Sequence, residues 1–325
     1  MRGIRLALTI FLHLVAVATS ANAQSYPARA VTIVVPYAAG GGIDLMARML
    51  AQRLTDMLGQ PFVVENRLGA GGVIASTFVA RAPADGYTLL LASDAQLAIQ
   101  VPLRKNLPYD PVRDFAPIAI VGSTPFALLV NSSAPANSLG EFIALAKSNP
   151  AGLAYGSSGV GGTPHLVMEM FTSMSGTTLR HIPYKGTAQA LNDLISGTIP
   201  AMFSGLTGVP GLLSAGKVRA LGISARSRLK ILPSIPTIAE AGVPGFEAMG
   251  FVILAAPAGT PRGIIDLLHA ELDELDRNPA VQEQYDRIGY LRDQPWSPEE
   301  VARFIASQIG VWSEVVGKAG LAHSE

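Results

Sequence analysis

The sequence contains no cysteine. Disulfides, thiol nucleophiles, zinc–thiolate centres and cysteine-ligated clusters are therefore excluded, and burial of apolar surface has to supply the stability. Net charge is missing too, because 24 basic side chains face 24 acidic ones. Without a general positive field the chain has no means of tracking a phosphate backbone, which excludes nucleic acid as a partner. Histidine is sparse, five in all, and no two stand at H-x-x-x-H or H-E-x-x-H spacing. No metal and no cofactor is expected. Beyond the first two dozen residues no apolar run is long enough to cross a bilayer.

What is present begins with a targeting segment. Arg2 and Arg5 precede an apolar run from Leu6 to Val17, and Ala21-Asn22-Ala23 forms an A-x-A cleavage site. Export to the periplasm with cleavage after Ala23 is expected. Removing 23 of 325 residues leaves 302, with 22 basic against 24 acidic groups, a charge of −2. A chain of that length exceeds what one core usually organises, so two domains are expected.

Short β-branched runs alternate with helical patterns along the mature chain. Strands are expected at 31–35, 62–65 and 87–91, and helices at 43–58 and 72–82, the first closed by Gly59. The 87–91 run is almost wholly apolar, as a buried parallel strand requires. The resulting β-α-β-α-β order predicts a doubly wound α/β domain. Further strands are read at 118–121, 127–130, 153–155, 181–183, 200–203 and 219–223. Ser138-x-x-Glu141 is a capping box, and Thr163-Pro164 marks an N-cap and first helical position. A helix at 188–195 is stopped by Gly197, and a strand at 251–255 precedes helices at 261–277 and 298–316. The fold class is thus α/β, two doubly wound domains in a clamshell. One domain is residues 24–124 plus 247–325 and the other is 125–246. Two crossings make a hinge and a cleft.

Two loops offer anion-binding chemistry. Pro36-Tyr37-Ala38-Ala39-Gly40-Gly41-Gly42 lies between a parallel strand and a helix start, where exposed amides and the helix dipole suit a carboxylate or phosphate. It lacks G-x-G-x-x-G, and the alternative is a tight turn. Asp44, in the first helical turn, satisfies the helix end and does not touch an anion, which it would repel. Tyr155-Gly-Ser-Ser-Gly-Val-Gly-Gly-Thr-Pro-His165 also follows a strand and feeds a helix. Ser157, Ser158 and Thr163 offer hydroxyls, and Gly159 and Gly161 leave amides approachable. The alternative is a capped helix with a flexible entry. His165 either donates to an anion or packs against the sheet. Ser93 and Asp94 follow the third strand at the ligand-binding edge of such sheets. Tyr184 and Lys185 follow a strand of the second domain, Lys185 being either a point charge for an anion or a solvated side chain.

Enzymatic patterns are weak. Gly211 to Lys217 fits G-x-x-x-x-G-K, but Val218 replaces the magnesium-binding hydroxyl and the strand order is wrong. No G-x-S-x-G elbow exists. A Ser158–His165 hydrolase would need its base to fold back from the helix that the serine loop opens. The binding reading is therefore preferred to catalysis.

The residues also carry a family resemblance running from Tyr26-Pro27 to Ala319-Gly320-Leu321. Its blocks include Val-Pro-Tyr-Ala-Ala-Gly-Gly-Gly-Ile-Asp at 35–44, Val-Glu-Asn-Arg-Leu-Gly-Ala-Gly-Gly at 64–72, Ala-Asp-Gly-Tyr-Thr-Leu-Leu at 84–90, the 155–166 loop and Ile-Pro-Tyr-Lys-Gly at 182–186. In this order they resemble the Bug (TctC-like) solute receptors of tripartite tricarboxylate transporters. The resemblance implies a monomeric periplasmic clamshell that closes on a small organic carboxylate. It also implies that loops 37–41 and 157–163 face the ligand, partly through amides and bridging waters. The implied partner is the transporter's membrane permease, or alternatively a sensor protein. Two positions depart from the pattern. Ser204 stands where such receptors often have Asp, and Met249-Gly250-Phe251 stands where they often have an aromatic, commonly Trp.

Overall fold

The computed structural model describes residues 26–149, 151–291 and 296–324. The segment read as a signal lies outside them. Chain order begins with β1 (Val31–Val35), α1 (Gly42–Leu58), β2 (Phe62–Asn66), α2 (Val73–Ala80) and β3 (Thr88–Ser93). A π-helical turn, Ala95–Ile99, runs into α3 (Gln100–Leu103), and β4 (Phe115–Asn131) follows. Next come α4 (Leu139–Lys147), β5 (Leu153–Ser157), α5 (Thr163–Ser175), β6 (Leu179–Pro183), α6 (Thr187–Ser196), β7 (Ala201–Gly205), α7 (Val209–Ser214) and β8 (Val218–Ile223). The chain closes with β9 (Met249–Pro257), α8 (Arg262–Asp276), α9 (Pro279–Ile288) and α10 (Pro298–Lys318).

The local signals account for most helix ends. Gly59, Gly176 and Gly197 are left-handed caps of α1, α5 and α6. Ser297 and Glu300 form a reciprocal capping box at α10. At α4 the Ser138 hydroxyl accepts the Glu141 N–H, whereas the Glu141 carboxylate reaches one residue further back, to Asn137 N–H. The start of α5 corrects the expectation. Gly162 is the cap, so Thr163 and Pro164 occupy the first two helical positions.

The strands form one sheet ordered β2-β1-β3-β9-β4-β7-β5-β6, with β8 also paired to β4. The βα units are parallel and the central pairings antiparallel. Two short strands were expected at 118–121 and 127–130, but a single 17-residue strand, β4, covers both. Pro117, Gly122 and Pro125 break its sequence pattern. The ladder absorbs them through register shifts between Pro117 and Ala119 and between Ile120 and Gly122, since bulges tolerate a residue that cannot donate. β4 pairs with β9 up to Pro125 and with β7 from Phe126. The chain returns from β8 to β9 at Ala248, whose N–H donates to Ser224 O at 2.9 Å.

Apolar clusters fill both faces of each sheet half. In the first half, α1, α8 and α9 cover Ile33, Leu89 and Leu254, while α2 covers Val34 and Leu90. In the second half, α4 and α5 cover Leu128 and Phe203, and α6 and α7 cover Leu129 and Met202. Helix α10 joins the halves. Its Val301 and Ile305 pack with Val34 and Leu90, and its Trp312 and Val316 pack with Phe126 and Leu128. Ile99 and Leu103 also enter that second core. Trp312 is 2% exposed, so Trp312→Ala removes a large buried ring and leaves a cavity. We expect a loss of about 3–5 kcal/mol in denaturant unfolding, with α10 loosening from the second half first. A loss under about 1 kcal/mol would show that α10 does not tie the halves together.

Candidate ligand-binding site

The β1–α1 loop is held from beneath by Asp44. Its carboxylate is 1% exposed and accepts from Gly40 N–H at 2.8 Å, Arg48 Nε at 2.9 Å and Asn66 Nδ2 at 2.9 Å. Burial works to raise its pKa, but these hydrogen bonds outweigh it and hold the group below the usual carboxylate range. Asn66 also donates to Tyr37 O at 2.9 Å, so one side chain ties the end of β2 to the loop. Gly40 and Gly41 were read as offering amides to a ligand. That part needs correction, because Gly40 N–H is taken by Asp44 and Gly41 N–H faces Ala38 O at 3.4 Å. Among the described residues no acceptor meets the amides of Ala39 and Gly42. Ala39, Gly40 and Gly41 are exposed.

Tyr37 and Ser93 form one hydroxyl system, 2.6 Å apart, with Gln96 Oε1 3.1 Å from the phenol. Burial pushes the Tyr37 phenol up to about 12. Asp94 comes next, 3% exposed. Its Oδ1 accepts from Thr163 Oγ1 at 3.3 Å, a bond that joins the first sheet half to the second. Its Oδ2 has no hydrogen-bond partner among the described residues. Burial pushes the Asp94 carboxyl up to about 7, against the opposing pull of the Thr163 and Ser93 hydroxyls and the Ala95 amide.

The loop after β5 is built on a stack of aromatic rings. Tyr155 lies 5.0 Å from His181, and His181 lies 3.8 Å from His165, between ring centroids. Ser157 Oγ sits 2.6 Å from His181 Nε2, donates to Gly159 O at 3.0 Å or to the ring, and accepts Gly159 N–H at 3.1 Å. His165 Nδ1 accepts Gly161 N–H at 3.0 Å, which puts the ring proton on Nε2, 3.8 Å from Glu169 Oε1. Glu169 in turn accepts from the Tyr155 phenol at 2.6 Å. The hydroxyl of Ser157 and the ring of His165 are thus internal props of the loop, each buried. The serine–histidine pair that exists is Ser157–His181, not Ser158–His165, and its oxygen is fully buried. Gly159, Gly161 and Gly162 amides are held internally, whereas no protein acceptor meets those of Ser158, Val160 and Thr163 among the described residues.

The start of α1 comes close to the second half, and the loop after β5 packs on the helical turn after β3. A Cβ on Gly42 would stand 2.6 Å from Thr207 Oγ1 and 3.1 Å from the Tyr290 ring. Gly161 is buried at φ +67°, and a Cβ there would collide with Leu103, so only glycine fits. Tyr290 is 6% exposed. Burial raises its phenol pKa, and Tyr37 and Asp94 add to that, which places the three in one electrostatic neighbourhood. Tyr184 turns its phenol to Asp193 at 2.6 Å, Lys185 is exposed, and Ser204 is buried in β7 with its hydroxyl on Gly205 O at 2.9 Å. Tyr290, Thr207, Gln96 and Asn66 were not read from the sequence. They lie near strand ends or glycines, but nothing local assigns them to this site, and the topology brings them here.

A mixed α/β sheet in two halves, with loops of both halves in contact at the join through Asp94–Thr163 and at Gly42–Thr207, has the architecture of a solute-binding receptor of the periplasmic type. The profile of the "Tripartite tricarboxylate transporter family receptor" matches residues 46–321. The chain belongs to that family. It is 38% identical to protein BugT of Bordetella pertussis over 312 residues, 96% of this chain and 95% of that one. Among solved structures, Rhodopseudomonas palustris Rpa4515 with adipate superposes with a TM-score of 0.86 at 36% identity, covering 91% of this chain and 99% of that one. MatC from the same organism, with bound malate, gives 0.82 at 33% identity, covering 90% and 100%.

Burial lowers the pKa of His165 to about 3, with His181 adding to the shift, and burial lowers His181 to about 4. Both folded values lie below the free value near 6.5, so unfolding takes up protons in acid. Their contribution is complete above about 6.5 and falls as pH drops toward the folded values. Asp94, raised on folding, opposes this below about 7, but two groups outweigh one. We expect the melting temperature to fall between pH 6.5 and pH 4.5, and to fall less steeply in a His165→Gln, His181→Gln double variant. Parallel profiles for the two proteins would mean the imidazoles are not the acid-sensitive props.

Proposed function

We propose that this protein is an exported receptor that captures a small organic carboxylate between its two sheet halves and presents it to the membrane permease of a tripartite transporter. The observation that carries this reading is the Asp94–Thr163 contact, which sets the start of α5 against the end of β3, beside the β1–α1 loop that Tyr37 ties to Ser93. Each start brings amides without a protein acceptor: Ala39 and Gly42 on one side, Ser158, Val160 and Thr163 on the other. A helix N-terminus contributes about 0.3–1 kcal/mol toward an anion, and up to about 2 when partly buried. Two of them with several hydrogen bonds suffice for micromolar binding, about −8 kcal/mol, after ordering costs. Adipate on Rpa4515 and malate on MatC make aliphatic dicarboxylates the first ligands to test.

In this reading residues 24–124 with 247–325 and residues 125–246 are lobes that move about the partner switch of β4 at Pro125–Phe126 and the return at Ala248. Ligand contacts to both lobes favour the shut form. The mature chain, cleaved after Ala23, works in the periplasm as a monomer. In this reading it is a binding protein, and the buried Ser157 oxygen offers no serine nucleophile at this loop.

A panel of mono-, di- and tricarboxylates should raise the melting temperature of the mature protein, a ligand at a hundredfold its Kd contributing about 2.7 kcal/mol. Ser158→Ala with Thr163→Ala should weaken the best binder about tenfold, the loss of one or two hydrogen bonds, with the fold intact by circular dichroism. No thermal or calorimetric response to any carboxylate would rule out the ligand class.

A further inference from the structure

Asp94 is hard to reconcile with an anion-binding cleft. It stands at the end of β3, on the same edge as the β1–α1 loop, and its Oδ1 is bonded to the first residue of α5. An ionised carboxylate there repels the acid that the helix starts attract. The groups that face it do not cancel that charge. They are Tyr37 from the β1–α1 loop, Ser93 and Gln96 on its own segment, Thr163 from α5, and Tyr290 after α9. All of these are neutral. His165, two residues further along α5, is neutral as well, with Nδ1 accepting from Gly161. On α1, Arg48 is engaged by Asp44. Among the described residues, no lysine or arginine is one of the groups that act on Asp94.

A second observation points the same way. Oδ2 is buried with no partner among the described residues. A buried carboxylate oxygen with no donor is costly, and in such a place the group takes a proton instead. Protonated, it becomes a donor that still lacks an acceptor, which a ligand carboxylate supplies.

Resting on the receptor reading above, we propose that Asp94 takes up a proton from solvent as the halves close, and that its Oδ2–H then donates to an oxygen of the bound carboxylate. One proton is gained, no other bond is made or broken, and the ligand enters as its anion. Asp94 thereby turns from a repelling charge into a selecting donor, and capture becomes pH-dependent. The buried group already titrates near 7, and a neighbouring ligand anion raises it further. Affinity is therefore fullest below about 7 and falls as pH rises through the value in the complex.

The test uses calorimetry on the mature protein with adipate and malate as probes, from pH 6 to 9. Wild type should lose affinity above pH 7, by up to about tenfold per pH unit. In phosphate and Tris buffers of different ionisation enthalpy, it should show net proton uptake of up to about one per ligand. Asp94→Asn keeps an acceptor for Thr163 and a permanent donor in place of Oδ2. It should flatten the profile and bind more tightly than wild type at pH 8.5. A flat wild-type profile without proton exchange overturns the proposal. So does an Asp94→Asn protein that has lost affinity at every pH, the mark of an ionised Asp94 receiving a ligand ammonium or hydroxyl. A ligand-free arm separates this from failure of the receptor reading. With a raised folded pKa, Asp94 contributes stability that grows as pH falls below about 7. Wild type should therefore gain in melting temperature on Asp94→Asn between pH 8 and pH 5. If neither probe binds, the receptor reading loses its ligand class while this arm still decides the protonation of Asp94. An unchanging difference across that range overturns it.

Discussion

A polar group removed from water has to find a partner or give up its charge, and the join between the two sheet halves is organised by that constraint. Asp44 meets it with three donors and stays ionised. Ser157, His181, His165, Glu169 and Tyr155 meet it collectively, as a chain of hydrogen bonds and stacked rings in which both imidazoles are neutral. Asp94 meets it halfway, with one oxygen bonded and one bare. The three arrangements do different work. The first two fix the shapes of the glycine loops from behind, and the third stands where the loops come together.

The mechanical frame for this chemistry is β4. A strand that pairs with β9 over its first part and with β7 and β8 over its last couples the two sheet halves through one backbone. Its register shifts bend it without breaking it. Because β1, β3 and β5 all run toward the join, their carboxyl ends deliver Tyr37, Asp94 and Ser157 to one region, the edge where open α/β sheets present their loops. Helix α10 then packs Ile305 into one core and Trp312 into the other. Any rigid-body motion of the two lobes proposed above would have to bend β4 and the return at Ala248 and slide α10.

The alternating elements were legible in the sequence because each βα unit carries its own period, cap and stop signal. The strands at 31–35, 62–65 and 153–155 and the stops at Gly59 and Gly197 follow from local rules alone. Local rules split β4 in two, since proline within a run argues against a strand and the sequence does not show which ladder positions lie at bulges. They also passed over α9 and the helical turn before α3, where Pro279 and Pro102 look like breakers. In the site, the glycine loops were legible as loops, but not which of their amides remain free. That depends on Asp44 folding back four residues to Gly40, and on His165 folding back four residues to Gly161. Tyr290 and Thr207 carry no local signal at all and arrive through the third dimension.

The free donors of the join are therefore almost all amide dipoles and hydroxyls. Arg48, the cation nearest the β1–α1 loop along the chain, is half-exposed and engaged by Asp44, and Lys185 is exposed just after β6. A receptor with an arginine clamp recognises an acid by charge, and any anion that reaches the guanidinium is partly satisfied. In the proposed site the positive charge is spread over dipoles that have fixed directions, which would hold an acid only when its oxygens lie along them. That arrangement suits a chain whose overall charge is close to zero, since no long-range field draws anions in indiscriminately. It also gives a buried carboxyl such as Asp94 a place in an anion site. Beside a guanidinium it would be ionised and would neutralise the clamp, whereas among dipoles it is free to carry a proton.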